Sequence, residues 1–295
     1  MQEDILSPSD NHTRLPLATL VKEEATAIKW GEWSLIALFI SVLSGLLVAF
    51  QYNPATPLYS ASSLDVLVPF GASFRALHFY SSQLFFLLVL VHLWAILDRA
   101  NTYGRWQWIR LIATLPVALL ILFTGYVLRA DSTGSSAGLI AENIISAIPA
   151  VGGILNDLLF SITDDGMKRV YINHIIGFEI VWGVLAWEHL RKYRTSFRHH
   201  LLLTALILLF CLLPTAPFEP ERLGVFHING PWFFLGLQEL LRFLPPLLAG
   251  VIFPATLLLA LIFLQKSNRH YSLLRNFILG WLGLYALLTI IALCR

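Results

Sequence analysis

Four histidines stand where water is scarce. His78 and His92 lie fourteen residues apart in one hydrophobic stretch, and His174 and His189 fifteen apart in another. Imidazole inside an apolar span is costly and by default marks function, because its ring nitrogens find no water there. At 100° per residue, fourteen steps return to within about 40° of the starting direction, and fifteen to within about 60° on the other side. Each pair therefore shares one helix face, with one imidazole near each end. The rise between them is about 14 × 1.5, or 21 Å. Neutral imidazole is a common axial ligand of haem iron. Two six-coordinate haems, each clamped by one histidine from each helix, fit this geometry. Ordinary interhelical hydrogen bonding by histidine, worth about 1 kcal/mol each, does not ask for matched spacing on two helices.

The elements that must position these residues are membrane helices. Of the 295 residues, 57% are hydrophobic and only 13% charged, and the mean hydropathy is +0.71, well above a soluble domain. A spanning helix needs about 20 mostly apolar residues. Seven such segments are expected, at Trp33 to Tyr52, Ala76 to Leu97, Gln107 to Leu128, Val170 to Leu190, Leu201 to Ala216, Leu247 to Leu264 and Ser272 to Cys294. The expected fold is thus an all-α integral membrane protein with about seven transmembrane helices. It divides into a surface segment (residues 1–30), a four-helix haem-binding bundle (31–200) and three C-terminal helices (201–295).

Basic residues set the orientation. Arg99, Arg105 and Arg110, then Arg191, Lys192, Arg194 and Arg198, then Lys266, Arg269 and Arg275 mark the cytoplasmic loops, whereas Asp131, Glu142, Asp157, Glu219 and Glu239 fall in the opposite ones. The N-terminus is expected inside and the C-terminus outside a bacterial cytoplasmic membrane. The second and fourth segments then run the same way, which pairs His78 with His174 and His92 with His189. The acids near the start (Glu3, Asp4, Glu23, Glu24) exclude a cleaved signal peptide. Cys211 and Cys294, both in apolar runs, form neither a disulfide framework nor a metal cluster, and the net charge of +2 points to no nucleic-acid partner. His199, His200 and His270 are expected to be solvated.

These residues resemble the cytochrome b family of quinol:cytochrome c and plastoquinol:plastocyanin oxidoreductases, in the short form found in plastids and cyanobacteria, with the C-terminal part similar to its subunit IV. Arg75, three before His78, matches an arginine that meets a propionate of the outer haem. Gly31 and Gly45 match the glycine pair that makes room for the porphyrin edges, and Gly125 lies in Thr124-Gly125-Tyr126-Val127-Leu128, similar to T-G-Y-x-L. Ala147-Ile148-Pro149 with Gly152 looks like the wall of the outer quinone pocket, and Trp232, Arg242, Pro245 and Gly250 reproduce a W-x9-R-x2-P-x4-G spacing. The resemblance implies two non-covalent haems b, a quinol substrate (menaquinone or ubiquinone), a Rieske-type iron-sulfur protein or c-type cytochrome as partner, and a homodimer within a larger complex. Arg194 matches an arginine near the inner quinone. Tyr126, Pro149, Trp232 and Phe233 are the expected outer-pocket walls.

The sequence departs from the family where chemistry is expected. The P-E-W-Y motif becomes Gly230-Pro231-Trp232-Phe233, so Pro231 replaces the glutamate that takes a proton from quinol. Leu128-Arg129-Ala130-Asp131 replaces L-P-W-D, and Leu111 stands fourteen before Gly125 where a second glycine pair would need glycine. Lys29 stands where some relatives anchor a c-type haem by cysteine, so no covalent haem is expected. Quinol oxidation still needs a base within reach; Glu239, Glu219, Glu221 and His227 are the candidates. A non-bifurcating electron wire to a multihaem or other redox subunit is the alternative, and a ferric-reductase-like haem protein a third reading.

Overall fold

A computed structural model of the chain describes residues 28–162, 166–193, 195–211, 213–219, 228–265 and 268–294. The surface helix expected before Lys29, together with Arg194, Glu221 and His227, lies outside the described residues.

The described residues form helices joined by turns: α1 (Trp30–Gln51), α2 (Pro57–Leu67), α3 (Gly71–Ile96), α4 (Arg105–Val127), α5 (Ser132–Ser146), α6 (Gly152–Leu159), α7 (Met167–Leu190), α8 (Leu201–Cys211), α9 (Leu235–Leu240), α10 (Leu248–Phe263) and α11 (Tyr271–Leu293). Five of them, α1, α3, α4, α7 and α11, are long and apolar enough to cross a membrane. The other two expected spans are the shorter apolar helices α8 and α10. At 1.5 Å per residue, the 11 residues of α8 reach only about 16 Å, well short of the hydrocarbon thickness. Pro214 lies just beyond α8 and cannot continue it, since proline lacks an N–H and disfavours helix in the residue before it. The large apolar side chains left exposed, among them Phe50, Val184 and Leu213, suit a lipid surround rather than water.

Local chemistry fixes the short helices between spans. α2 opens with Pro57, whose missing N–H is an orphan donor there in any case. α5 is capped by Asp131, whose Oδ1 accepts from Gly134 N at 2.9 Å. Asp131 is in turn paired with Arg129, so the departure from L-P-W-D rebuilds the start of α5 around a buried ion pair.

Two helix pairs make up the bundle. α1 packs along α3, and α4 along α7, whereas α3 and α7, which carry the four histidines, are not among the closely packed pairs. The core lies between the leaves: Ile36 and Ile40 of α1, Phe85 and Phe86 of α3, Leu122 and Phe123 of α4, and Val170 of α7, with Phe233 and Ile207 from the C-terminal part. A second cluster ties α10 and α11 to Trp108 and Ile112 of α4, where the indole of Trp108 donates to Leu261 O at 2.9 Å.

Candidate functional site

Each histidine of α3 faces one of α7. The rings of His78 and His174 have centres 6.1 Å apart and cross at 86°; those of His92 and His189 are 6.2 Å apart at 52°. With metal–nitrogen bonds of about 2 Å and about 1.1 Å from nitrogen to ring centre, two imidazoles ligating one ion from opposite sides need about 6 Å between centres. Among the described residues no cluster of three or more metal-ligating side chains occurs, so any metal held here has two protein ligands and open equatorial positions, as in a haem.

The outer pair is oriented by backbone. His78 Nδ1–H donates to Ser41 O at 2.8 Å, and His174 Nδ1–H to Ile121 O at 3.0 Å, with Thr124 Oγ1 3.1 Å away. A donor bond at Nδ1 fixes the tautomer that leaves the Nε2 lone pair free for a ligand. His174 lies in a π turn, Asn173–Gly177, a distortion that often marks functional positions in helices. The inner pair differs: His189 Nδ1 is buried with no hydrogen-bond partner among the described residues, and its ring packs between Tyr193, 5.0 Å away, and Tyr103, 6.3 Å away.

Glycine makes the space around three of the four rings. A Cβ on Gly31 would sit 2.9 Å from His92 Cε1, on Gly45 2.7 Å from His78 Cε1, and on Gly125 2.9 Å from His174 Cε1. These distances are shorter than any carbon contact allows, so the backbones of α1 and α4 approach the rings only because these residues lack side chains. Among the described residues no glycine lies against His189, in keeping with Leu111 at the fourth place. The cradle therefore fits a flat group held by both rings of a pair.

Arg75, buried on α3, is held by Asp65 of α2, with Nε–H donating to Oδ1 at 2.7 Å, and it also donates to Ala216 O at 2.7 Å. The remaining residues expected at an outer pocket gather at one end of the bundle. Tyr126 O–H donates to Asn229 O at 3.4 Å. The indole of Trp232, itself 44% exposed, donates to Gln83 Oε1 at 2.8 Å. Phe233 is buried, and its carbonyl accepts from Tyr285 O–H at 2.6 Å. Pro149 is exposed at the end of the α5–α6 turn, where a Cβ on Gly152 would collide with Ile145 O. Gly250 lets α10 reach Ile144 of α5. Glu239 is buried and borders a cavity of about 150 Å³ shared with Asn229, Gln238, Arg242 and Ala292.

Several partners escape a reading of the sequence. Asp65 holds Arg75 from ten residues away across a turn. His200 is buried and bonds Glu32 Oε2 through Nε2 at 2.9 Å, which corrects the expectation that it is solvated; its partner lies 168 positions away and no local pattern announces it. Glu142 is buried on α5, although its place in an acidic loop reads as exposed.

Residues 20–196 match the family model "Cytochrome b/b6/petB". The chain is 24% identical to a cytochrome b of Eptatretus burgeri, over 86% of this chain and 80% of that protein. It is also 24% identical to one of Chondrus crispus, over 87% and 82%. A solved structure described as "Hyperthermophilic respiratory Complex III" superimposes with a TM-score of 0.65 at 19% identity, covering 92% of this chain and 89% of that one. The chain belongs to the cytochrome b family. It is an integral membrane protein, and membership implies haem b and a place in an electron-transporting oxidoreductase.

Proposed function

We propose that this chain is the di-haem cytochrome b subunit of a respiratory quinol oxidoreductase complex. The observation that carries the reading is the pair of facing imidazoles at each end of α3 and α7, with centres 6.1 and 6.2 Å apart and glycine opposite three of the four rings. His78 and His174 hold the outer haem b, and His92 and His189 the inner one. When bound, haem iron supplies one-electron oxidation and reduction. Arg75, shared with Asp65, would meet a propionate of the outer haem, and Arg194 would serve the inner quinone site.

The chain's own residues bind and orient quinol at the outer end, a pocket walled by Tyr126, Pro149, Trp232 and Phe233, with the acid Glu239 beside its cavity. Aromatic walls exclude water from the pocket and the helices keep the path between the haems dry. One electron leaves to a Rieske-type or c-type partner on the periplasmic side, and the other crosses to an inner quinone site. The N-terminus is cytoplasmic and the C-terminus periplasmic, and the subunit works as a homodimer in the bacterial inner membrane with menaquinone or ubiquinone. The division into residues 31–200 and 201–295 follows the same reading, the first part holding haem and the second completing the outer pocket.

Pro231 at the place of the motif glutamate favours one second reading, a non-bifurcating wire between quinone and a multihaem or other redox subunit. The test is to reduce the quinone pool in membranes, block the inner site, add a pulse of oxidant and follow haem b absorbance. A transient rise in reduced haem b supports bifurcated quinol oxidation, and plain oxidation supports the wire.

A further inference from the structure

α5, which leads into the turn carrying Pro149, also carries a buried acid. Glu142 is 8% exposed, and its Oε1 is buried without a hydrogen-bond partner among the described residues. Ala141 and Ile145, one residue before it and one turn after it on α5, pack against the cluster holding Phe123 and Phe233, with Tyr126 and Phe234 at its edge. Two of these, Tyr126 and Phe233, are the walls named above.

Among the described residues, the elements packed on α5 bring no uncommitted cation to this carboxylate. α5 has no Lys or Arg in its sequence. The elements packed on it are α4, α6 and the first turn of α10. At the near end of α4, Arg129 is committed to Asp131 and Thr133 and Tyr126 donates to Asn229 O. Asp157 of α6 is exposed, the first turn of α10 has no charged residue, and Glu219 meets the start of α5 through its backbone carbonyl. A carboxylate oxygen buried without a donor is costly unless something supplies one, and Oε1 is such an oxygen. A quinol hydroxyl is such a donor, and it arrives where the family motif has lost its own acid to Pro231.

We infer that Glu142 is the catalytic base of the outer site: its carboxylate accepts a hydrogen bond from a quinol hydroxyl and takes that proton as quinol is oxidised. This inference rests on the quinol reading above. The O–H bond of the quinol breaks and an O–H bond forms on Glu142. The accompanying electron goes to the one-electron acceptor at the outer face, an iron-sulfur or c-type haem protein. The proton then leaves to the periplasm by rotation of the side chain. This is general base catalysis by a positioned carboxylate, moved from the loop before Trp232 to a helix across the pocket.

The experiment compares wild type, Glu142→Gln and Glu142→Asp as intact complexes in membranes, with a short-chain quinol as probe and the inner site blocked. Haem b content by dithionite difference spectra is measured first, then the rate of oxidant-induced haem b reduction across pH. Glu142→Gln is expected to keep both haem signals and lose at least tenfold in rate. Glu142→Asp is expected to recover part of it with an altered pH profile. Wild-type rate and pH profile in Glu142→Gln overturn the assignment. Should Glu142→Gln lose haem, Glu142→Asp decides, and a wild-type rate with a wild-type pH profile there overturns it. Absence of quinol-dependent haem reduction in the wild type overturns the quinol reading itself and the role of Glu142 with it.

Discussion

Phe85 and Trp182 meet midway between the two histidine pairs, with ring centres 5.6 Å apart at 79°. Phe85 is seven residues from both His78 and His92, and Trp182 is eight from His174 and seven from His189. This edge-to-face pair is a direct bridge between two helices that otherwise keep apart, and it divides the interior into an outer and an inner compartment. Trp182→Ala is expected to cost about 2 kcal/mol, below the range for fully buried tryptophan because Trp182 is half-buried. It should also slow electron exchange between the compartments. Thermal unfolding and flash-induced absorbance changes of haem b measure the two effects, and unchanged exchange would show that the pair only fills space.

The glycines opposite three of the four rings give a second expectation. Gly45→Val should push the ring of His78 aside, because the added Cβ alone lies 2.7 Å from Cε1, and the outer haem signal should fall while the inner one stays. Gly31→Val should do the reverse through His92. Redox difference spectra resolve the two, and equal loss of both signals from either change would break the assignment of glycines to compartments.

The ligand pairing is tested by removal. His92→Leu or His189→Leu is expected to abolish the inner haem and leave the outer one, so that the haem to protein ratio halves. Loss of neither signal would refute the pairing.

Arg75 and Asp65 act as a unit. Arg75→Leu leaves Asp65 without its partner in a mostly buried place, which should cost about 3 kcal/mol, at the lower end for a buried pair because Asp65 keeps some solvent. Changing both residues to Leu should recover much of that loss. The single change should move the potential of the outer haem more than that of the inner one. Potentiometric titration checks this, and equal shifts at both haems would place Arg75 elsewhere.

Five of the seven expected spans and the facing of the four histidines were legible, because lipid imposes length and hydropathy on a crossing segment and because residues fourteen or fifteen apart on one helix share a face. The glycines were legible only through the family resemblance, since nothing in their own spacing says what lies opposite them. The short helices α2, α5 and α6 were not, because 8 to 15 residues with mixed polarity carry no clear period. His200 with Glu32, and Phe85 with Trp182, are contacts across long stretches of chain, and such pairs leave no local trace. Glu142 stands out in the sequence only as one acid of an outer loop, and it is its burial on α5 that sets it apart.

The loose seating of α3 against α7 bears on how the protein is made. Two leaves, α1 with α3 and α4 with α7, each hold together through close backbone packing, while α3 and α7 themselves meet across the shared core through facing imidazoles and the Phe85–Trp182 bridge at mid-depth. A newly inserted chain thus resembles an open book whose spine is built before its pages are bound. A cofactor gripped from both leaves would add to the core in holding it shut, so pigment supply is expected to act as a checkpoint on biogenesis, with chains that lack it more open to quality-control proteases.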